Sequence, residues 1–361
     1  MNSEINHRNL LLARESRGET QKAMADAIDG LNQGNLSKME KGIIPVSDDM
    51  IERIAKHLDY PVSFFYKESQ DRRVNSFFYR KRVTLPNKEL TMLEARFDTA
   101  RMAIDELLDS VEIPEFDIPS IATDGSLTPK EVARRMRLFF GIPKGPVENL
   151  VKTMERHGII IIFLEGAPEK FFGVTMFTNK SVPVIFINGD KSGDNKRFTL
   201  GHELGHLVMH LRSEDLEKRE DQKEIEANQF AGEFLMPASQ CKEDLFNLKY
   251  KDLGMKKYYW KVSKAAIIYR AKELNCIPEE TARYLYVTLG RNGERKKETV
   301  QVPIDTPKIV KKMYDLHVTE LNYSEEELSD ITGLMPNDIR SELLDEAEVI
   351  KVRPNKIQLK F

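Results

Sequence analysis

The 361-residue sequence predicts a multidomain protein in three parts: an all-α helix-turn-helix unit, an α+β unit, and a mainly helical C-terminal region. Three observations predict it. Residues 20–41 set two short helical patterns around a turn at Gly30. Residues 158–187 hold three short apolar runs rich in Val, Ile and Phe. Residues 198–211, FTLGHELGHLVMHL, carry three of the chain's seven histidines within a helical pattern.

Bulk composition narrows the setting. A hydrophobic content of 40% with 31% charged residues suits a soluble globular protein. No stretch approaches the roughly 18 apolar residues that a membrane helix needs. The N-terminus, MNSEINHRNLLLARES, turns charged before a signal-peptide core could form. Cys241 and Cys276 are too few for a disulfide framework and lack zinc-ligand spacing. A cytoplasmic protein with no membrane association is expected. The net charge of −3 excludes a polycation that coats nucleic acid. Residues 1–70 hold nine Lys/Arg against eleven Asp/Glu, so charge does not favour DNA binding there. Residues 71–82, DRRVNSFFYRKR, are basic and interleaved with Phe77, Phe78 and Tyr79. That stretch is a candidate for phosphate contacts or for gripping a partner, with a solvated linker as the alternative.

In chain order, Leu10, Leu11 and Ala13 mark a first helix over residues 5–16. Thr20 is placed to cap a second, and residues 32–40 form a third that Gly42 and Pro45 stop. Ile51, Ile54, Ala55 and Leu58 share one face of a fourth helix over 48–58. Two short helices around a tight turn follow the helix-turn-helix plan, whose second helix enters the major groove. TQKAMADAI followed by NQGNLSKMEKG resembles the phage-repressor-like (XRE) family over about residues 6–66. The resemblance implies double-stranded DNA as a partner, with Gln21 on phosphate and Gln33, Asn35 and Lys38 facing bases. Gln and Asn suit the paired donor and acceptor of adenine. Gly34 stands where many relatives carry a larger side chain. The alternative is a small helical bundle used for homodimerisation or for protein docking.

Residues 87–110 predict one long helix of mixed charge, and two prolines in VEIPEFDIPS break the chain after it. TPKEVARRMRLFFG opens a new unit with a threonine cap and an arginine-rich helix. Strands are expected over 158–164, 172–177 and 182–187, with NGDKSGDNKR as the loop before the motif helix. The resulting divisions are a helix-turn-helix domain over 1–68, a basic and helical linker over 69–127, an α+β domain over 128–290 and a helical region over 291–361. Within the last, RNGERKKE reads as a loop and 307–321, 324–333 and 336–348 as short helices. Its role is open.

His202, Glu203 and His206 spell H-E-x-x-H. Residues four apart on a helix share a face, so His202 and His206 can present imidazoles to one ion while Glu203 reaches a water beside it. Zinc takes nitrogen and oxygen ligands, keeps an open position in catalytic sites, and lowers the pKa of its water to near 7, so that the glutamate can take a proton. His210, eight residues from His202, is about 12 Å along the axis and is expected behind the ligands or simply packed. Met209 and Arg212 stand where a metzincin would need glycine and histidine. In KEIEANQFAGEFLMP, residues 223–237, Glu224, Ala227, Asn228 and Ala231 fall on one helical face. The small alanines allow close approach, which makes Glu224 the candidate third ligand and Asn228 the group that orients a histidine. Glu226, on the face of Phe230 and Glu233, is the second candidate ligand.

HELGHLVMH followed by E-x-x-A-N-x-F-A-x-x-F-L-M-P resembles the ImmA/IrrE family of zinc metallopeptidases over about residues 128–290. The resemblance includes VSKAAIIYRAKELNCI, residues 262–277. It implies a zincin-like fold with a gluzincin-type site: one zinc, His202, His206 and Glu224 as ligands, and Glu203 as general acid and base. It also implies that the substrates are helix-turn-helix repressors or antitoxins. Tyr258, Tyr259, His157 and Arg270 are all possible oxyanion stabilisers. Substrate could add as a strand to a sheet edge, for which VPVIFIN (182–188) is the natural candidate, an interior strand being the alternative. The expected function is a DNA-binding regulator with zinc-dependent endopeptidase activity. The alternatives are a transcription factor, or a toxin–antitoxin or phage-defence component, whose zinc site is structural or sensory.

Overall fold

Short polar caps define the N-terminal helices. Asn6 accepts from Arg8 N at the start of α1 (His7–Ser16), and Thr20 accepts from Ala23 N at the start of α2 (Gln21–Ala27). Asn32 accepts from Asn35 N to open α3 (Gln33–Glu40), and Ser47 opens α4 (Asp48–Leu58). Each cap satisfies an amide that the first helical turn leaves free. Leu10, Met24, Leu36, Ile51 and Ile54 close a small core between these helices, which are the expected helix-turn-helix unit. Asn9, fully buried, donates to Phe64 O and Lys67 O and so pins the following 3₁₀ turn, Val62–Tyr66, onto α1.

The computed structural model describes residues 4–68, 85–121, 123, 127–210, 219–295, 297–303 and 305–344. The basic stretch 71–82, Leu211, and the end of the last expected helix beyond 344 lie outside the described residues.

Helix α5 (Asn87–Leu107) lies within the segment expected to act as a linker, and twelve of its residues are buried. Leu93, Phe97, Ala100, Ile104 and Leu107 recur at the three- and four-residue spacing of one helix face. Phe97 packs between Phe171 and Phe186, with ring centroids 5.4 and 4.9 Å away. On the opposite flank, Arg101 joins Asp98 and Asp105, and Asp105 accepts from Asn179 N.

The three strands are β1 (Ile160–Leu164), β2 (Gly173–Phe177) and β3 (Pro183–Asn188), in the order β1-β3-β2. β1 runs parallel to β3, and β2 runs antiparallel to it with Thr175 opposite Ile185. The VPVIFIN segment is therefore the central strand, paired on both sides, and not a sheet edge. Its unbroken apolar run is the reason: a strand covered on both faces and paired on both edges has no polar side to show. Ile160, Ile162, Val184 and Phe186 turn towards α5 and the C-terminal helices, whereas Ile161, Phe163, Ile185 and Ile187 turn towards the motif helix.

That helix, α8 (Gly193–Met209), follows α6 (Pro129–Phe139), which Thr128 and Glu131 open with a reciprocal capping box, and α7 (Leu150–Glu155). It starts inside the segment expected to be a loop. Ser192 supplies its extended cap, and the polar first turns are buried because each has a partner. Arg197 pairs with Asp305 at 2.6 Å, and Lys196 lies over the Phe163 ring. After α9 (Glu220–Leu235) come α10 (Ala238–Leu245), α11 (Leu253–Trp260), α12 (Lys264–Glu273) and α13 (Glu279–Arg291).

The C-terminal helices α14 (Ile309–Thr319) and α15 (Glu325–Thr332), with a short turn at Pro336–Asp338, return to the N-terminal half. Arg17 pairs with Asp338, Ser63 donates to Asp330 at 2.9 Å, and Arg96 pairs with Glu342 at 2.8 Å. The α+β unit thus sits between two helical layers, with the helix-turn-helix unit and helices α14 and α15 on the same side of the sheet.

Beyond α13, Glu294 is buried against Lys264, Tyr250 and Thr299. Burial alone would raise its carboxyl, but hydrogen bonds from Lys264, Thr299 and Tyr250 outweigh it and hold the pKa down to about 2. A carboxylate depressed in the fold contributes stability above its ordinary pKa of 4.5 and loses that contribution as pH falls from 4.5 towards 2. Urea unfolding of Glu294→Gln should accordingly show lower stability than wild type at pH 7. The difference should shrink across that acid window. A constant difference from pH 7 to pH 3 would contradict the assignment.

Candidate metal centre

Helix geometry brings the first two donors together. His202 and His206 stand one turn apart on α8, both buried, with their Nε2 atoms 2.9 Å apart. The third comes from α9: Glu224 Oε1 lies 3.2 Å from His206 Nε2, and Oε2 lies 3.5 Å from His202 Nε2. All three donor atoms fall within 4.8 Å of one another. Tetrahedral donors about 2.0–2.2 Å from one ion stand about 3.3–3.6 Å apart, so these residues fit a single zinc.

The meeting of the two helices depends on small residues. Gly201 faces Ala231, where an added Cβ would meet the alanine Cβ at 3.5 Å. At Gly205 an added Cβ would come within 3.1 Å of the Phe230 ring and 3.3 Å of Ala227 Cα. Both contacts are tighter than ordinary packing, so a larger residue there would require the Phe230 ring or α9 to give by a few tenths of an ångström. Glu224 reaches the histidines because its helix is allowed this close.

The electrostatics favour ligand lone pairs. Burial, the larger cause, lowers the His206 pKa, against the opposing effect of a hydrogen bond donated to Glu224. Burial alone would raise Glu224, but hydrogen bonds and charge from His202 and His206 outweigh it and hold the carboxyl far below the usual range. A metal would need both imidazoles neutral beside the ionised carboxylate. Asn228 Oδ1 can only accept, so His202 Nδ1 donates to it at 3.0 Å, which in a neutral ring leaves Nε2 as the bare nitrogen.

Glu203, 6% exposed, follows His202 and accepts from Thr175 Oγ1 at 2.8 Å. Thr175 belongs to β2, an edge strand. Sequence reasoning missed this residue, although a single hydroxyl inside the apolar run GVTMF was a visible signal. Glu226 does not join the cluster. It accepts from Thr123 and contacts His210, whose other ring nitrogen lies 3.0 Å from His206 Nδ1.

The possible oxyanion groups are engaged elsewhere or open to solvent. Arg270 donates to Glu233, Glu273 and Met236 O, on the wall of a cavity of about 510 Å³ between α9 and α12. His157 bonds Asp117 and packs on Phe139 and Phe140. Tyr258 and Tyr259 are exposed.

At the other end of the chain, Gln33, Asn35 and Lys38 are all exposed on α3. Gln21 is half-buried and donates to Glu40, which also accepts from Arg14. That contact occupies one of the two N–H groups Gln21 could offer to phosphate.

Outer partners of metal-bound histidines are worth about 10- to 100-fold in metal affinity. Asn228→Ala should therefore bind zinc about 10- to 100-fold more weakly than wild type in a chelator competition, and Glu224→Ala more weakly still. Wild-type affinity in Asn228→Ala would remove the orienting role.

Two family models match parts of the chain. Residues 154–272 match the peptidase-family model described as the IrrE N-terminal-like domain, a span that contains all three candidate ligands and Glu203. Residues 10–65 match the helix-turn-helix model. No curated protein matches the chain. The protein joins an N-terminal XRE-type helix-turn-helix domain to an ImmA/IrrE-family domain.

Proposed function

We propose that the protein is a DNA-binding regulator that cuts a protein substrate by zinc-dependent hydrolysis, the substrate being a helix-turn-helix repressor or an antitoxin. The observation that carries the reading is Glu203. A structural or sensory metal site has no use for a buried carboxylate beside its ligands, held in place by a threonine from a neighbouring strand.

One zinc, when bound, would act as a Lewis acid and lower the pKa of water at the site. His202, His206 and Glu224 would hold it. Glu203 takes the proton from the attacking water and passes it to the leaving amine, the general acid and base role. Thr175 fixes the carboxylate by its hydrogen bond. β2 replaces VPVIFIN as the strand beside which substrate would lie: it borders the sheet and carries Thr175. An extended peptide added there would pass close to Glu203. The helix-turn-helix domain would bring this site to promoters where a repressor sits, in the cytoplasm. No helix among the described residues is long and apolar enough to cross a membrane.

Incubation of wild type and Glu203→Gln, each with measured zinc content, with helix-turn-helix proteins encoded nearby should give cleavage by wild type only. Zinc-loaded wild type that binds such partners and cuts none would favour the sensory or partner-binding alternative. For DNA, Gln33→Ala should lower affinity for the preferred operator by about 1–3 kcal/mol with little change in non-specific binding. Unchanged sequence preference would sink the recognition-helix reading.

A further inference from the structure

Behind the candidate ligand His206 lies a buried chain of polar groups that the proposed chemistry does not use. His206 Nδ1 is 3.0 Å from His210 Nδ1, and His210 Nε2 is 3.0 Å from Glu226 Oε2. Glu226 in turn accepts from Thr123 Oγ1 at 2.8 Å and from Gln222 Nε2 at 3.1 Å. His206, His210, Glu226 and Thr123 are each less than 9% exposed. Such a chain survives burial only if each donor meets an acceptor.

We propose that His210 and Glu226 are a positioning pair for His206, fixing its ring and its tautomer so that Nε2 faces the metal without a proton. The direction of each bond follows from its neighbours. Thr123 and Gln222 both donate to Glu226, which acts as the acceptor carboxylate at the end of the chain. His210 Nε2 then carries a hydrogen and donates to it. A neutral His210 has a bare Nδ1, which can only accept, so His206 Nδ1 must donate. With its hydrogen on Nδ1, His206 has a free lone pair on Nε2, the atom beside Glu224 and His202. The reverse arrangement, with His210 donating to His206, would put the hydrogen on Nε2 and close the ligand position.

The helix makes this possible. His210 is the C-cap of α8, with φ −123° and ψ −36°, and its N–H still bonds His206 O at 2.8 Å. Residues four apart share a helix face, so the His210 ring lies 5.1 Å from that of His206, centre to centre. One helix then serves both histidines. α9 offers Asn228 to His202, Glu226 through His210 to His206, and Glu224 to the ion between them. The same carboxylate–histidine logic that orients metal ligands elsewhere is here lengthened by one imidazole.

The inference rests on the metal site described above but not on peptide cleavage, so its test reads metal binding. Zinc affinity and the visible spectrum of the Co²⁺-loaded full-length protein would be measured for wild type, His210→Phe, His210→Gln and Glu226→Leu. His210→Phe and Glu226→Leu should each weaken zinc binding by about 10- to 100-fold and alter the Co²⁺ absorption bands. His210→Gln should recover most of the loss, because its carbonyl can accept from His206 while its amide donates to Glu226. If His210→Phe fails to fold, Glu226→Leu and the glutamine variant still decide the matter. Wild-type affinity and spectra in both His210→Phe and Glu226→Leu would overturn the positioning role alone. Absence of zinc or Co²⁺ binding by wild type would overturn it together with the metal site. Tight metal binding with the expected losses, but no cleavage of any partner, would leave the positioning role standing and count only against the peptidase reading.

Discussion

The close approach of α8 and α9 is the constraint on which the site depends. H-E-x-x-H supplies two donors from one helix, but a third must come from elsewhere, and an ordinary helix pair packs 8–10 Å apart. Gly201 and Gly205 on α8, set against Ala231 and Ala227 on α9, remove the side chains that would keep the axes apart. Glycine inside a helix costs about 1 kcal/mol against alanine. At Gly205 that cost is offset by what the gap admits: Phe230 packs against the helix, and Glu224 stands beside both imidazoles. The same contact carries Asn228 and Glu226 to the far sides of the two histidines, so a single packing decision sets both the ligands and the groups that orient them.

The sheet divides the molecule into two apolar bodies, and the division accounts for the placement of function. On one face the motif helix, α9 and the helices that follow enclose the metal centre. On the other, α5, the helix-turn-helix core and the C-terminal helices form one continuous core that includes Ile160, Ile162 and Phe186. Arg17–Asp338 and Arg96–Glu342 add charged contacts along that side. The helix-turn-helix core and the candidate metal centre are thus carried on opposite sides of one three-stranded sheet.

Much of this was legible in the sequence, for reasons that differ by element. Local signals were sufficient for the four N-terminal helices, because Asn6, Thr20, Asn32 and Ser47 each cap a turn they adjoin. Glu224 and Asn228 could be chosen because helical spacing puts them on the face of the small alanines. What failed was whatever depends on pairing at a distance. An apolar run such as VPVIFIN fits a buried strand but says nothing about which neighbours it takes, so its central place could not be read. The start of α8 was misplaced because the partners that let Arg197 and Lys196 be buried, Asp305 and the Phe163 ring, lie far along the chain. Helix α5 showed a clear apolar stripe, and its mixed charge hid it: Arg101, Asp98 and Asp105 answer one another inside the core.

His210 shows where spacing stops being informative. Eight residues of straight helix place it too far from His202 to share an ion, and that exclusion holds in the structure. Yet spacing treats every residue beyond the ligands alike, whereas the fold sets Glu226 against this one and makes it the link from that carboxylate to His206. The acceptor at the far end of the chain is therefore part of the site's chemistry, because it decides which nitrogen of His206 is left bare.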